Sequence, residues 1–268
     1  MIPRLYVPAV EPEDVVRHLA RKEKHWKAGK SAHALAYVWH GRADFPPAID
    51  RVLKAHSIFE SAKLIDGFLE RQTDLGSLGH HSQTDLLVIA GLDQGLAVLA
   101  IEGKAGEPFG EYVHEWLGRN EEEYKEKEYG KKKDRLEDLE KRLRLSRDET
   151  LSLRYQLLHR AASAILEAKR YRTSTAALLV HSFSDDKKGF ADFCSFLKKF
   201  GVKDPFANTL VGPILRDGVS LYAAWVQDDP PNDATPLTYL DSMRSYAEKR
   251  IEECQKFCSW CDEQQSKR

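Results

Sequence analysis

Two short apolar segments separated by a turn constrain the fold of this chain more than any other feature. Residues 85–90 and 96–101 are almost entirely apolar and β-prone, and residues 91–95 between them carry Gly and Asp. Segments of this length joined by such a turn are typical of antiparallel hairpins. Continuous apolar runs also indicate strands that are buried on both faces. The sequence therefore predicts a buried β-hairpin.

The rest of the chain predicts helices and two further strands around this hairpin. Amphipathic spacing and helix-start signals predict helices within residues 12–40, from Pro47, at 151–171, at 190–200 and at about 237–261. Buried strands are predicted at 176–183 and 219–226. This order of elements predicts an α/β (α+β) fold in which a mixed central β-sheet is flanked by helices.

The length of the chain favours a single domain. At 268 residues with 42% hydrophobic side chains, it is long enough to bury one sizeable core and carry helical additions. We expect N-terminal helices at 1–56, a core at 57–118 and 150–228, a charged helical insertion at 119–149 and a C-terminal helix at 229–268. The insertion is dense in charge and sparse in apolar residues, which indicates a helical excursion exposed to solvent.

The balance of charge limits how the protein can bind nucleic acid. Basic and acidic residues number 41 and 42, for a net charge of −1, so DNA binding would require a local basic surface. Residues 131–133 with Arg135, Arg142, Arg144 and Arg147 are candidates for that surface, although interleaved acids nearly cancel their charge and also fit a solvent-facing helical hairpin.

Compartment signals point to a cytoplasmic protein without a membrane partner. The first ten residues lack the layout of a secretory signal, and no apolar run approaches the length of a membrane span. The four cysteines are too few and too clustered to form a disulfide framework. The sequence indicates no particular oligomeric state.

The predicted hairpin brings three charged residues together at one end. With the turn centred near Asp93, Asp85 lies eight residues before the centre and Glu102 nine after it, so the two are nearly opposite. Lys104 lies two residues beyond Glu102 and shares its face of the strand. Charges beside a buried sheet are costly unless they are paired or coordinated. Because hard divalent cations prefer carboxylate ligands, we predict a Mg²⁺ (or Mn²⁺) site at Asp85 and Glu102.

This spacing resembles the D…(D/E)-x-K signature of the PD-(D/E)XK phosphodiesterases, although Thr84 stands where the signature has proline. The resemblance implies a restriction-endonuclease-like core in which Asp85 and Glu102 bind metal. It also implies that Lys104 orients or activates the attacking water. In some members an acid from the first core helix joins the site, and by this analogy Glu60 is a further candidate metal ligand.

The helix predicted at 151–171 falls where that superfamily places its helix after the E-x-K strand. Gln156 resembles the glutamine of a motif that some members carry there, and Arg160 stands where tyrosine is usual. One polar stripe on this helix consists of Gln156, Arg160, Ser163 and Glu167. We therefore predict Gln156 as a catalytic residue and Arg160 as a substrate-binding residue, with His81 as a second substrate-binding residue close before Asp85.

Further segments are similar to an uncharacterised bacterial family assigned to the same superfamily. They are Ser82-Gln83-Thr84-Asp85, residues 102–110, residues 154–160 and residues 180–183. This resemblance spans about residues 82–226 and implies no particular substrate.

The resemblance implies a Mg²⁺-dependent nuclease that hydrolyses phosphodiester bonds of DNA. The alternative is a catalytically inactive protein of the same fold that binds nucleic acid or a protein partner. Cys254, Cys258 and Cys261 have the spacing of radical-SAM cluster ligands, but the same spacing also fits small apolar packing on one face of a terminal helix. The chain contains no G-x-S-x-G, H-E-x-x-H or phosphate-binding glycine motif, so other hydrolase classes are not indicated.

Overall fold

The computed structural model describes residues 11–19, 26–76, 81–118 and 126–231, and part of residues 244–259. The strands of its mixed six-stranded sheet are β1 (Lys63–Thr73), β2 (Ser82–Leu92), β3 (Gly95–Lys104), β4 (Thr175–Ser182), β5 (Val211–Arg216) and β6 (Val219–Gln227). The helices of the continuous ranges are α1 (Ser31–Trp39), α2 (Pro47–Lys54), α3 (Val113–Leu117), α4 (Glu126–Leu143), α5 (Arg147–Thr150), α6 (Tyr155–Arg170) and α7 (Lys187–Lys198), with 3₁₀ helices at Pro12–His18 and Ser57–Phe59. The predicted α/β fold, a mixed sheet flanked by helices, is confirmed.

The order of strands in the sheet is β1-β2-β3-β4-β6-β5. The first three form an antiparallel meander, β3, β4 and β6 run parallel, and β5 pairs antiparallel with β6. Parallel neighbours require a crossover connection, and the chain between β3 and β4 supplies one that includes α6. Because β1, β2 and β3 are antiparallel to their neighbours, the ends of β1 and β3 and the start of β2 lie at the same end of the sheet.

Successive side chains along each strand point to opposite faces of the sheet, so the buried side chains form two cores. Leu87 and Ile89 of β2 belong to a core formed with α3, α4, α6 and α7. Leu86 and Val88 of the same strand belong to a second core formed with α1 and α2. Because helices cover both faces, the central strands read as continuous apolar runs.

The hairpin predicted from residues 85–101 consists of β2 and β3. Its register pairs Leu92 with Gly95 and Leu86 with Ile101. Asp85 and Glu102 are therefore the next opposed positions of the two strands.

Several elements differ from the sequence prediction. β1 occupies a stretch where helix and strand patterns compete, and β5 was not predicted. Within residues 12–40 the first helix is a short 3₁₀ helix, and only the second is an α-helix. α6 begins at Tyr155 rather than near residue 151, because Arg154 is extended and forms a β-bridge with Tyr112. The separate short helix α5 lies before it and is capped by the Ser146 side chain.

The charged segment is not a solvated excursion along its whole length. Leu136, Leu139 and Leu143 of α4 are buried in the core that contains α6, while charged residues such as Glu137 are exposed. An amphipathic helix with three buried leucines packs against the domain because burying each leucine contributes about 1.5–3 kcal/mol.

The C-terminal prediction is described only in part. Those residues within 244–259 that the structure describes are helical, whereas Cys261 lies outside the described residues. His80, the residue before the predicted substrate-binding residue His81, lies outside them as well. In the described part of the chain, no helix has both the length and the apolar character that a membrane span needs.

Candidate active site

A cleft of about 1280 Å³ opens where the ends of β1 and β3 meet the start of β2. The residues that line this cleft include Lys30, Glu70, His81, Ser82, Asp85, Glu102, Lys104, Trp116, Lys131, Lys132, Arg135, Tyr155, Gln156, His159 and Arg160. They come from one end of the sheet, from the start of α1 and the residue before it, and from helices α3, α4 and α6. The cleft thus has a floor made by the sheet and walls made by helices.

Three acidic residues occupy adjacent positions across three strands. The pairing of β1 with β2 matches Leu69 with Leu86 and Arg71 with Thr84, so Glu70 lies opposite Asp85. Asp85 in turn lies opposite Glu102 on β3. All three side chains line the cleft, and their carboxyl groups are close enough to influence one another's pKa. Glu70 adopts a φ of 50°, a left-handed conformation that is uncommon outside glycine.

Glu102 is held by three side chains. Its Oε1 accepts hydrogen bonds from Lys104 Nζ at 2.9 Å and from Gln156 Nε2 at 2.6 Å. Its Oε2 accepts from Arg160 Nε. Burial opposes the charge of this carboxyl, but Arg160 and Lys104 outweigh that cost and hold the pKa of Glu102 below its ordinary value. Glu102 is therefore a buried, paired carboxylate.

The other two acids are less well neutralised. Burial, and then the negative charge of Glu102, raises the pKa of Asp85 to about 7. Burial, and then the charge of Asp85, raises the pKa of Glu70 to about 8. The floor of the cleft thus holds more acidic groups than Lys104 and Arg160 neutralise, and perturbed groups of this kind mark candidate functional sites.

Arg160 lies between two of the acids. Besides its bond to Glu102, its Nη2 lies 3.5 Å from Asp85 Oδ1, and its Nη1 donates to Ser82 Oγ at 3.2 Å. Asp85 Oδ2 accepts from the backbone N–H of Gly103 at 2.9 Å. The guanidinium therefore acts as a cation that bridges the carboxylates of Asp85 and Glu102.

Two carboxyl groups of this cleft are of the kind that bind hard divalent cations. Among the residues that the structure describes, no three His, Cys, Asp or Glu side chains form a ready metal-binding group. Mg²⁺, however, commonly binds through one or two carboxylates and keeps several waters. Asp85 and Glu102 supply such a pair, and Arg160 already places positive charge between them. Metal binding by this pair would therefore require Arg160 to give up its contacts with both carboxylates.

The cleft contains nearly all of the residues predicted for the site. Those that line it are Asp85, Glu102, Lys104, Gln156, Arg160 and His81. Glu60 does not line it and is exposed beside the 3₁₀ helix Ser57–Phe59. The neighbouring Ser61 Oγ accepts from the Asp93 N–H in the hairpin turn, so Glu60 lies at the opposite end of the sheet from Asp85.

The polar stripe predicted on α6 divides into two parts. Gln156 and Arg160 reach the cleft, whereas Ser163 and Glu167 are buried elsewhere. Glu167 accepts hydrogen bonds from Arg71 of β1 at 3.3 Å and from Arg170 at 2.9 Å. The second half of the stripe therefore joins the helix to the sheet.

Basic side chains stand at the rims of the cleft. Lys30, just before α1, and Lys131 of α4 are exposed, and neither forms an ion pair with a described residue. Lys132 Nζ donates to the Trp116 carbonyl and lies 5.4 Å from the centroid of its ring. Trp116 stacks on Tyr155 with a centroid separation of 3.8 Å. An acidic floor therefore lies between basic rims.

Glu70, His159 and Lys30 are among the cleft residues that the sequence did not single out. The position of Glu70 follows from the register of β1, which becomes available only when β1 is assigned as a strand. His159 gives the same sequence signal as any helical histidine. Lys30 lies far from the motif along the chain, and no signal in the sequence places it at the cleft.

The cysteine alternative receives no support from the described residues. Cys254 and Cys258 are exposed thiols, and Cys261 lies outside the described part of the chain. The apolar packing expected for these cysteines is therefore absent at the two that the structure describes.

Comparison with known proteins assigns a family but no activity. No curated protein and no solved structure matches the chain. Residues 8–230 match the family described as Domain of unknown function (DUF6946). This segment contains the whole sheet, helices α1 to α7 and every residue of the cleft discussed above. The chain therefore belongs to the DUF6946 family.

Proposed function

We propose that the protein is a Mg²⁺- or Mn²⁺-dependent nuclease of the PD-(D/E)XK type that hydrolyses phosphodiester bonds of DNA. The observation that carries this proposal is the convergence of Asp85, Glu102 and Lys104 with Gln156 of α6. A charged rim at the end of a hairpin would leave Lys104 in solvent. Here Lys104 is only 4% exposed, and its Nζ is held by Glu102 and by Gln156 Oε1 at 3.2 Å. Sequence spacing and three-dimensional proximity thus favour the same site.

Each residue of the convergence has a role in this proposal. Asp85 and Glu102 would hold the metal ion, which would supply Lewis acidity and lower the pKa of a bound water. Lys104 presents a fixed ammonium group that orients the attacking water and offsets negative charge on the phosphate. Gln156 holds Glu102 and Lys104 in position through its amide.

The distribution of charge supports a polyanionic substrate. Lys30 and Lys131 stand at the rims with no ion-pair partner among the described residues, so phosphates flanking the scissile bond would find unpaired cations there. At Asp85 and Glu102 the acidic floor repels a phosphate unless a cation accompanies it, whereas the other phosphates of the strand meet the basic side chains of the cleft. This arrangement suits a metal-dependent reaction on a nucleic-acid strand.

The second candidate is an inactive protein of the same fold that binds nucleic acid or a protein partner. The position of Arg160 favours this reading. Its guanidinium already bridges both carboxylates that a metal would use and so places positive charge between them without a metal.

Cleavage of plasmid and labelled single-stranded DNA in Mg²⁺ or Mn²⁺ tests the proposal. We expect the wild-type protein to cut DNA and EDTA to stop the reaction. Lys104→Gln and Glu102→Gln should lower the rate by about 100-fold or more, as the loss of a positioned catalytic group does. The matched control is Glu60→Gln, which changes an exposed glutamate outside the cleft and should cut at the wild-type rate.

Circular dichroism establishes that each variant is folded. The proposal fails if folded wild-type protein cuts neither substrate with either metal. It also fails if Lys104→Gln and Glu60→Gln cut equally well. DNA binding without any cleavage would favour the inactive protein.

A further inference from the structure

His159 of α6 is a cleft residue to which the proposed mechanism gives no task. Its Nδ1 lies 2.9 Å from Ser82 Oγ, and Ser82 is almost fully buried. The imidazole ring also contacts Tyr155, with a centroid separation of 5.0 Å. The hydrogen bond and the ring contact fix the orientation of the side chain.

The hydrogen bonds around Ser82 determine which nitrogen of His159 carries the proton. Arg160 Nη1 donates to Ser82 Oγ at 3.2 Å, so the single Ser82 hydroxyl proton is left to point at His159 Nδ1. Arg160 Nη1 also approaches Nδ1 at 3.5 Å. Because both neighbours of Nδ1 are donors, Nδ1 is an acceptor and the proton of the neutral ring lies on Nε2.

The Nε2–H group has no hydrogen-bond partner among the described residues. His159 lines the cleft and is only partly buried. Burial, and then the positive charges of Arg160, Arg135 and Lys104, holds the pKa of His159 well below its ordinary value. The same three cations make the space around this donor favourable for an anion.

We infer that His159 donates its Nε2–H to a phosphate oxygen of the nucleic-acid strand and so forms a phosphate subsite beside the metal-binding carboxylates. This inference rests on the proposed function, since it assumes that a strand enters the cleft. An oriented N–H surrounded by cations suits a phosphodiester oxygen, which accepts hydrogen bonds and carries negative charge. Ser82 acts as the positioning residue that sets the tautomer of the ring.

Three substitutions of His159 distinguish the role of Nε2 from the role of Nδ1. The side-chain amide of His159→Gln reaches about as far as Nε2 and restores the donor in the cleft. The shorter amide of His159→Asn reaches only as far as Nδ1 and restores the contact with Ser82. His159→Phe keeps the ring and removes both polar groups.

The probe is a fluorescein-labelled single-stranded oligonucleotide, titrated by fluorescence anisotropy in EDTA so that no cleavage occurs. We expect His159→Asn and His159→Phe to weaken binding about tenfold, and His159→Gln to stay within about threefold of wild type, as for one hydrogen bond to a charged group. Thermal unfolding by circular dichroism establishes that all four proteins are folded.

Equal binding by the four proteins would overturn the inference, as would rescue by Asn but not by Gln, which is the order expected of a purely structural role. Failure of the wild-type protein to bind the probe would overturn it as well. Lack of DNA cleavage in Mg²⁺ with the expected binding order would refute hydrolysis but support the phosphate contact. Cleavage by a wild-type protein that binds the probe no better than the variants would support hydrolysis but refute the phosphate contact of His159.

Discussion

Glu102 and Asp85 lie opposite each other, yet their surroundings differ. Glu102 accepts hydrogen bonds from Lys104, Gln156 and Arg160, which satisfies both of its oxygens. Among the described residues, Asp85 accepts one hydrogen bond, from the Gly103 N–H, and faces Arg160 at 3.5 Å. A buried carboxylate is stable only when it is well paired. Asp85 is therefore the acid that an added cation would stabilise most.

Replacing Asp85 with Asn should change how stability depends on pH. The pKa of Asp85 is raised from 3.8 to about 7, so between these values the folded protein holds a proton that the unfolded chain has released. The free energy of unfolding consequently falls as pH rises through this interval. In metal-free buffer at about pH 8, we expect Asp85→Asn to be about 1–3 kcal/mol more stable than wild type.

Urea unfolding at about pH 4 and about pH 8 measures this difference, which should vanish at the lower pH. The control is Asp93→Asn in the exposed hairpin turn, whose stability should follow that of wild type at both pH values. Stability curves of Asp85→Asn and wild type that run parallel across this range would contradict the account of Asp85.

The strands that the sequence predicted are those buried on both faces. β2, β3, β4 and β6 lie inside the sheet, and their continuous apolar runs identify them within a few residues. β1 and β5 are its edges. Exposed Asp66 and Gly67 interrupt the apolar pattern of β1, and Pro213 lies within β5. Edge strands tolerate such residues because one side forms no ladder, and this is why periodicity does not reveal them.

The parts of the site that depend on local spacing could be predicted, and those that depend on distant pairing could not. Asp85, Glu102 and Lys104 belong to one hairpin whose turn fixes their positions. Glu70 reaches them only through the pairing of β1 with β2. Glu60 was predicted by analogy with an acidic helix, but the 3₁₀ helix beside it lies at the other end of the sheet.

The attachment of α6 to β1 depends on a buried ion pair. Glu167 is 3% and Arg71 4% exposed, and Thr73 Oγ1 also donates to Glu167 at 3.1 Å. Because Glu167→Ala leaves the Arg71 guanidinium buried with less compensation, we expect it to lower the free energy of unfolding by about 3–5 kcal/mol.

Chemical denaturation tests this with Glu137→Ala as the control. Glu137 lies on α4, is exposed, and is 3.9 Å from Arg147, so its removal should cost about 1 kcal/mol or less. A Glu167→Ala variant no less stable than Glu137→Ala would show that the buried pair does not hold α6 on the sheet.

Over the whole molecule, near-neutral composition conceals a strongly patterned cleft. The net charge of −1 is a sum over the whole chain, so it does not reveal the acidic floor and the basic rims of the cleft. Lys30 and Lys131 lie about a hundred residues apart in the chain and share the cleft only because the fold brings α1 and α4 to the same sheet edge. Composition could therefore not indicate a nucleic-acid surface.

The rim lysines should determine how DNA binding depends on salt. A lysine that neutralises one phosphate contributes about 1 to the slope of log Kd against log salt concentration. We expect Lys30→Ala and Lys131→Ala each to lower that slope by about 1, while the control Lys203→Ala, exposed and outside the cleft, leaves it unchanged. Fluorescence anisotropy at several salt concentrations measures the slopes. If Lys30→Ala and Lys131→Ala give the same slope as Lys203→Ala, the two rim lysines do not contact phosphate.

Binding of a divalent cation tests the central claim most directly. In calorimetric titrations with Mn²⁺, the account predicts a single saturable site in wild-type protein and in Glu60→Gln. Asp85→Asn, which removes one ligand of the cleft, should bind Mn²⁺ at least about tenfold more weakly. The account is contradicted if folded wild-type protein shows no saturable site, or if Asp85→Asn binds Mn²⁺ as tightly as wild type.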